Sequence, residues 1–358
     1  MTSFNKTRCA GAICLCLGLL SCVDSQSTST AENADINDSV AITFPAIQTQ
    51  NISLSGLSSG AYMALQFHLS HSEIVNGSAL IAGGPYYCAQ NDIGTALKNC
   101  VSDDSGALTL SPLNDYYDSV LASKKVASAS DNVNDKLWLF HGTKDTRIIA
   151  SVADQLYAQV MTLFTPSNIK YVNDKPFAHL MPTLESGIDC NVSEAPFIGA
   201  CNYDAAGELL TYLGLIETAR SEASSETLKS HLNAFSQASY AGEYANTLAE
   251  SGYVFVPPQC LDAKACQLHV SFHGCNQNAE TVQDQYAMQS GLNEWALSND
   301  IVVLYPQTKK SMFMPLNPQS CWDWWGYTGS EYANKEGQQI QAIKSLVERI
   351  DDIILKPQ

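Results

Sequence analysis

Gly56-Leu57-Ser58-Ser59-Gly60 forms a G-x-S-x-G turn between a β-prone run, Asn51-Ile52-Ser53-Leu54, and a helix-prone run over residues 62–69. A strand, a serine between glycines and then a helix is the context of a nucleophile elbow, a turn sharp enough to lift the serine Oγ clear of the sheet edge. The pentapeptide alone is a weak sign. With Gly and Ser each near 7% of residues, about one chain in ten of this length carries it by chance. Its value depends on whether the rest of the chain supplies the partners such a serine needs.

Downstream of the turn, two kinds of segment alternate. Apolar strand-like runs are expected at residues 78–82, 136–140, 168–172, 267–272 and 300–305. Helical runs are expected at 151–164, 205–213, 281–297 and 336–355, the last with Ile340, Ile343, Leu346, Val347, Ile350 and Ile353 on one stripe. This alternation predicts an α/β fold with a mainly parallel central sheet flanked by helices.

Residues 1–22 read as an export segment, with Lys6 and Arg8 before an apolar run too short to span a bilayer. Leu19-Leu20-Ser21-Cys22 is similar to a lipobox, which would make Cys22 a lipid anchor on the cell envelope. The competing reading is a plain secretory signal that leaves the protein extracellular or periplasmic. Residues 23–42, rich in Ser, Thr, Asn, Asp and Ala, read as a flexible linker, leaving 43–358 as a single catalytic domain. A formal net charge of −17 repels phosphate backbones and excludes nucleic acid as a partner. It fits a neutral substrate. A monomer is expected.

Beyond the export segment stand eight cysteines, an even number in an exported chain, which argues for disulfides. Short spacing favours Cys88 with Cys100, Cys190 with Cys201 and Cys260 with Cys266, leaving Cys275 for Cys321. The absence of a C-x-x-C pair and of a histidine pair at ligand spacing argues against a metal site. No cofactor is expected.

A serine hydroxyl needs a base to take its proton, and the base needs an orienting carboxylate. In the α/β-hydrolase order the acid comes after the serine and the histidine after the acid. Asp145, in His141-Gly142-Thr143-Lys144-Asp145 after an apolar run, fits the acid. A solvated turn is the plain alternative for it, and Asp104, Asp115 and Asp118 are rivals. Of seven histidines, His179 has both the order and a loop placement, in Pro176-Phe177-Ala178-His179. The amide of Ser59 would supply one oxyanion donor. The other comes from a loop after an earlier strand, often marked His-Gly, and no such strand precedes Ser58. A fitting one stands far downstream, Leu268-His269-Val270-Ser271-Phe272-His273-Gly274-Cys275. The front of the hydrolase fold lies at the back of the chain, the pattern of a circular permutation.

Asn317 to Tyr327 holds three of the five tryptophans, Trp322, Trp324 and Trp325, flanked by Pro318 and Gly326. Such a loop reads as a ligand contact or an entrance cover, with a core role kept for at least one indole.

Together these stretches, with Ala82-Gly83-Gly84-Pro85-Tyr86-Tyr87-Cys88 and Tyr305-Pro306-Gln307-Thr308, closely resemble extracellular single-domain poly(3-hydroxybutyrate) depolymerases with a circularly permuted α/β-hydrolase fold. The resemblance covers residues 45–355. It implies Ser58 as nucleophile, His179 as base, Asp145 as its partner, the amides of Ser59 and Cys275 as oxyanion hole, and Asn317 and Trp322 along a polyester-binding groove. The expected substrate is a polyester polymer or oligomer, cleaved through an acyl-enzyme. The rivals are a carboxylesterase acting on feruloyl or acetyl groups of polysaccharide and a non-catalytic polyester-binding surface protein.

Overall fold

The computed structural model describes residues 46–102, 106–261 and 264–355. The expected export segment with Cys22, the linker over 23–42 and Asp104 lie outside the described residues. The front of the described chain supplies β1 (Ala46–Leu57), β2 (Val75–Ile81), β3 (Lys136–Phe140) and β4 (Ile169–Val172). A small sheet comes next, made of β5 (Met181–Thr183), β6 (Ile188–Asp189) and β7 (Ile198–Ala200). The back of the chain supplies β8 (Leu232–Ser236), β9 (Ser251–Phe255), β10 (Ala265–Phe272) and β11 (Ile301–Tyr305).

The large sheet runs β4-β3-β2-β1-β10-β11-β9-β8, and β9 alone is antiparallel to the rest. The first strand of the described chain therefore lies in the middle of the sheet, beside a strand from the last third of the sequence. Both of its neighbours are parallel to it, with Leu57 opposite Ile81 and Gly56 opposite Phe272. A strand buried on both faces must be apolar on both faces, and alternate residues divide between two core layers. Leu80, Leu137, Leu139, Val270 and Val302 pack into one with helices Ser59–Ser70, Ala150–Leu163 and Gln338–Glu348. Ile81, Trp138, Phe140 and Val303 pack into the other with Ala205–Leu213 and Leu292–Ser298.

Two helical expectations need correction. Residues 281–297 are three short helices, Ala279–Val282, Gln285–Gln289 and Leu292–Ser298, because Gln283 (φ 56°) and Gly291 (φ 83°) turn left-handed between them. The C-terminal stripe breaks at Arg349 into Gln338–Glu348 and Ile350–Leu355. Strands β8 and β9 escape a reading by periodicity; β8 is short and only Phe235 in it is buried. Disulfides join Cys88 to Cys100, Cys190 to Cys201, Cys260 to Cys266 and Cys275 to Cys321. Four such bridges suit an oxidising compartment. Among the described residues no helix is long and apolar enough to cross a membrane.

Candidate active site

The C-terminal edge of a parallel sheet is where loops can converge on a ligand, and here it gathers the chemistry. Ser58 directly follows β1 and precedes the helix Ser59–Ser70. Its backbone sits at φ 57° and ψ −120°, a conformation costing about 1–3 kcal/mol outside glycine. Ser58 N–H donates to Ile81 O at 2.9 Å, and Ser58 O accepts from Ala61 N at 2.9 Å, so strand and helix both hold the turn. The flanking glycines are required by close approach. A Cβ on Gly56 would overlap the Gly60 carbonyl, and one on Gly60 would overlap the carbonyl oxygens of Phe272 and His273.

Asp145 and His179 come from the loops after β3 and β4. Asp145 Oδ2 lies 2.7 Å from His179 Nδ1. Asp145 Oδ1 accepts from the amides of Arg147 (2.8 Å) and Ile148 (3.0 Å). Burial alone would push this carboxyl up; His179 beside it and the two amides outweigh burial and hold it below the usual carboxylate range. A carboxylate at Nδ1 fixes a ring tautomer that leaves Nε2 as the free base. His179 is further anchored by its own N–H to Ser193 Oγ at 3.0 Å. The rival carboxylates Asp115 and Asp118 lie exposed on the helix Ser111–Ala122.

Three other histidines are occupied elsewhere. His68 bridges Ser78 Oγ (2.7 Å) and Asp135 Oδ2 (2.9 Å) in the core, and His141 Nε2 bonds Ile148 O at 2.8 Å. His269 lies between Ser53 and Ser55 hydroxyls, each at 2.8 Å.

The loop after β10 is held amide by amide. Gly274 N–H donates to Gln277 Oε1 at 2.7 Å, and Asn276 N–H donates to Gln319 O at 2.6 Å. Cys275 lies between those two fixed amides. Gln277 is itself buried, and its Nε2 donates to Pro196 O (2.8 Å) and Phe197 O (3.1 Å) on the segment before β7. His273 Nδ1 reaches Gly274 O at 2.7 Å while its Nε2 accepts from Thr308 N–H at 3.2 Å.

A cleft of about 690 Å³ opens over this edge, lined by Ser58, Ser59, His179, Cys275 and Asn317 among others. Tyr62, Trp324, Trp325 and Tyr327 form an aromatic wall; Tyr62 stacks on Trp324 at 5.0 Å. Asp323 shapes that wall. Its Oδ1 accepts from the amides of Gly326 (2.7 Å) and Tyr327 (3.0 Å), and its Oδ2 from Thr328 N–H (2.7 Å) and Oγ1–H (2.6 Å). Asn317 reaches the cleft, but its amide is spent on the loop, accepting from Cys321 N–H (2.9 Å) and donating to Cys321 O (2.9 Å). Trp322 is the second residue expected along the groove. It is 0% exposed, packs edge-on to Phe272 at 5.1 Å, and is the core indole of the three. Its backbone N–H donates to Ser59 Oγ at 3.3 Å, and its Nε1–H has no partner among the described residues. Gln277 and Asp323 stand inside the motifs, yet neither residue type nor spacing assigns them a role. Among the described residues no group of His, Cys, Asp or Glu converges as a metal site.

No family model matches the chain. Curated relatives do. A poly(3-hydroxybutyrate) depolymerase of Delftia acidovorans is 36% identical over 319 residues, 87% of this chain and 62% of that protein. The chain thus spans less than two thirds of that relative. A polyhydroxybutyrate depolymerase of Talaromyces funiculosus is 32% identical over 317 residues, 85% of this chain and 90% of that protein. The crystal structure of a PHB depolymerase from Penicillium funiculosum superposes with a TM-score of 0.78 at 30% identity, covering 87% of this chain and 98% of that one. A PHB depolymerase carrying a serine-to-alanine change, complexed with an R3HB trimer, superposes with the same score and coverage. With this identity across nearly the whole of the Talaromyces protein, and a fold shared over 87% of this chain, the chain belongs to the polyhydroxybutyrate depolymerase family.

Proposed function

We propose that this protein is a serine ester hydrolase that cleaves poly(3-hydroxybutyrate) and its oligomers through an acyl-enzyme. The observation that carries the reading is one apolar-walled cleft holding a serine on a strained elbow, an aspartate-paired histidine and the loop of Cys275. Ser58 Oγ attacks the ester carbonyl while His179 Nε2 takes its proton. The amides of Ser59 and Cys275 hold the oxyanion, the first at a helix N-terminus where the dipole favours negative charge. Collapse breaks the ester C–O bond, and His179 returns the proton to the departing alkoxide. Water, deprotonated by the same imidazole, then frees the 3-hydroxyacyl group from Ser58. No step calls for a metal or cofactor.

An oligo(3-hydroxybutyrate) chain is apolar apart from its esters, which suits the aromatic wall. An ester carbonyl reaching the cleft floor would supply the acceptor that Trp322 Nε1–H lacks, and Asn317 would hold the loop above it. Residues 43–358 act as one catalytic domain and monomer, exported by the N-terminal segment and kept at the envelope if Cys22 is lipidated.

Ser58→Ala tests the assignment. The variant is expected to fold, resist organophosphonate labelling and lose hydrolysis of p-nitrophenyl esters and of 3-hydroxybutyrate trimer. Unchanged turnover would sink Ser58 as nucleophile. Release of ferulate or acetate from polysaccharide, with the trimer left intact, would favour the carboxylesterase reading.

A further inference from the structure

We propose that Arg147 forms a subsite for a free carboxylate, the acidic end of the oligoester segment that leaves first. The inference rests on the polyester reading above and deepens it. Among the described residues Arg147 is the one lysine or arginine along the cleft, where Asp92 is the one carboxylate. The chain as a whole is strongly acidic, with a formal net charge of −17. A carboxylate entering this field is repelled almost everywhere, so a lone guanidinium in the cleft marks where it is tolerated.

The guanidinium is held ready. Nη2 donates to Ser193 O at 2.7 Å, and Cζ lies 5.1 Å from the centroid of the Phe197 ring, itself a cleft residue. Among the described residues no carboxylate pairs with it within 4.0 Å. Asp145 takes only the backbone N–H of Arg147 and spends its charge on His179. One bond to a carbonyl leaves the rest of the five-donor fork free, and a planar fork matches a carboxylate.

Position then decides which carboxylate. Ser193 anchors both residues, taking His179 N–H on Oγ and Arg147 Nη2 on its carbonyl. Arg147 therefore stands on the histidine side of Ser58, where the alkoxide departs and receives its proton. In a 3-hydroxybutyrate chain the departing segment keeps the original carboxyl end. If that segment is a single unit, its carboxylate carbon is three bonds from the leaving oxygen. A carboxylate held there places the last ester bond over Ser58, which favours cleavage from the carboxyl end of short chains.

The test compares 3-hydroxybutyrate trimer as the free acid with its methyl ester, in the wild type, Arg147→Gln and Arg147→Lys. The wild type is expected to prefer the acid in kcat/KM by about fivefold, a solvent-discounted value for a charge-assisted hydrogen bond. That preference should shrink as salt is raised, fall to near one in Arg147→Gln, and survive in part in Arg147→Lys. Equal efficiency on both trimers in the wild type, or an undiminished preference in Arg147→Gln, overturns the subsite alone. Turnover of neither trimer by the wild type overturns the polyester reading and the subsite with it.

Discussion

Gln277 is a single side chain that ties two loops of the cleft together. Its carboxamide oxygen fixes Gly274 N–H, and its nitrogen reaches the backbone of Pro196 and Phe197. Gln277→Leu removes those bonds and leaves Gly274 N–H buried without an acceptor. Losing a whole oxyanion donor costs a hundredfold or more, so a loosened one should lower kcat by about tenfold with KM within about twofold. Steady-state kinetics on a small ester reads this directly, and an unchanged kcat would mean the loop holds itself. The buried imidazoles carry a different consequence. Burial lowers His269 to about 3 and His273 to about 4, so both stay neutral in the folded protein at pH 5. The unfolded chain protonates them first as pH falls, so their contribution is complete above about pH 6.5 and is lost on the way down to 4 and 3. Each should cost about 2 kcal/mol of stability by pH 5 relative to pH 7. Denaturant titrations at the two pH values check it; equal midpoints would contradict two neutral buried rings. Asp145 adds nothing in that window, because its depressed carboxyl is charged in both states until pH falls below about 4.

At the scale of elements, the aromatic loop has little regular structure and is built around one carboxylate. Asp323 is 1% exposed, and burial pushes its carboxyl up even though Thr328 and the amides of Gly326 and Tyr327 oppose the shift. A carboxylate can accept at both oxygens; an amide cannot. Asp323→Asn therefore sets an NH₂ group against existing donors, and the wall of Trp324, Trp325 and Tyr327 should loosen. KM for the trimer is expected to rise by about fivefold, with a smaller change in kcat, since the lost packing is made in both ground and transition states. The near-ultraviolet circular dichroism of the tryptophans should weaken in parallel. A wild-type KM would remove Asp323 from any role in shaping the wall.

At the scale of the whole molecule, the site is completed across a seam. Ser58, Asp145 and His179 belong to the half-sheet β1–β4, whereas Cys275 and the aromatic loop belong to the half built from β8–β11. The two halves meet where β1 pairs with β10. Gly60 sits on that seam against the carbonyls of Phe272 and His273. Gly60→Ala wedges the halves apart, and overpacking of this kind costs about 1–3 kcal/mol. A lower thermal midpoint together with a loss of activity is expected. Full activity at wild-type stability would show that the seam can yield.

The sequence alone singled out Ser58, Asp145 and His179, which the fold gathers at one cleft, because strand-loop-helix spacing and chain order constrain a serine, an acid and a histidine before any packing is known. It favoured the cysteine partners that the fold joins, three by short spacing and Cys275 with Cys321 as the remaining pair, and it marked the strands β2, β3, β10 and β11 by runs that burial on both faces requires. Local pattern could not reach the rest. Only the tertiary structure decided that Trp322 is core while Trp324 and Trp325 meet the cleft, since adjacent indoles are equivalent until a fold gives them sides. The placements of Gln277, Asp323 and Arg147 came the same way. Each depends on partners brought close by folding, such as Pro196 for Gln277 and Phe197 for Arg147, and a hydrogen bond or a stacked ring between distant residues leaves no period in the chain.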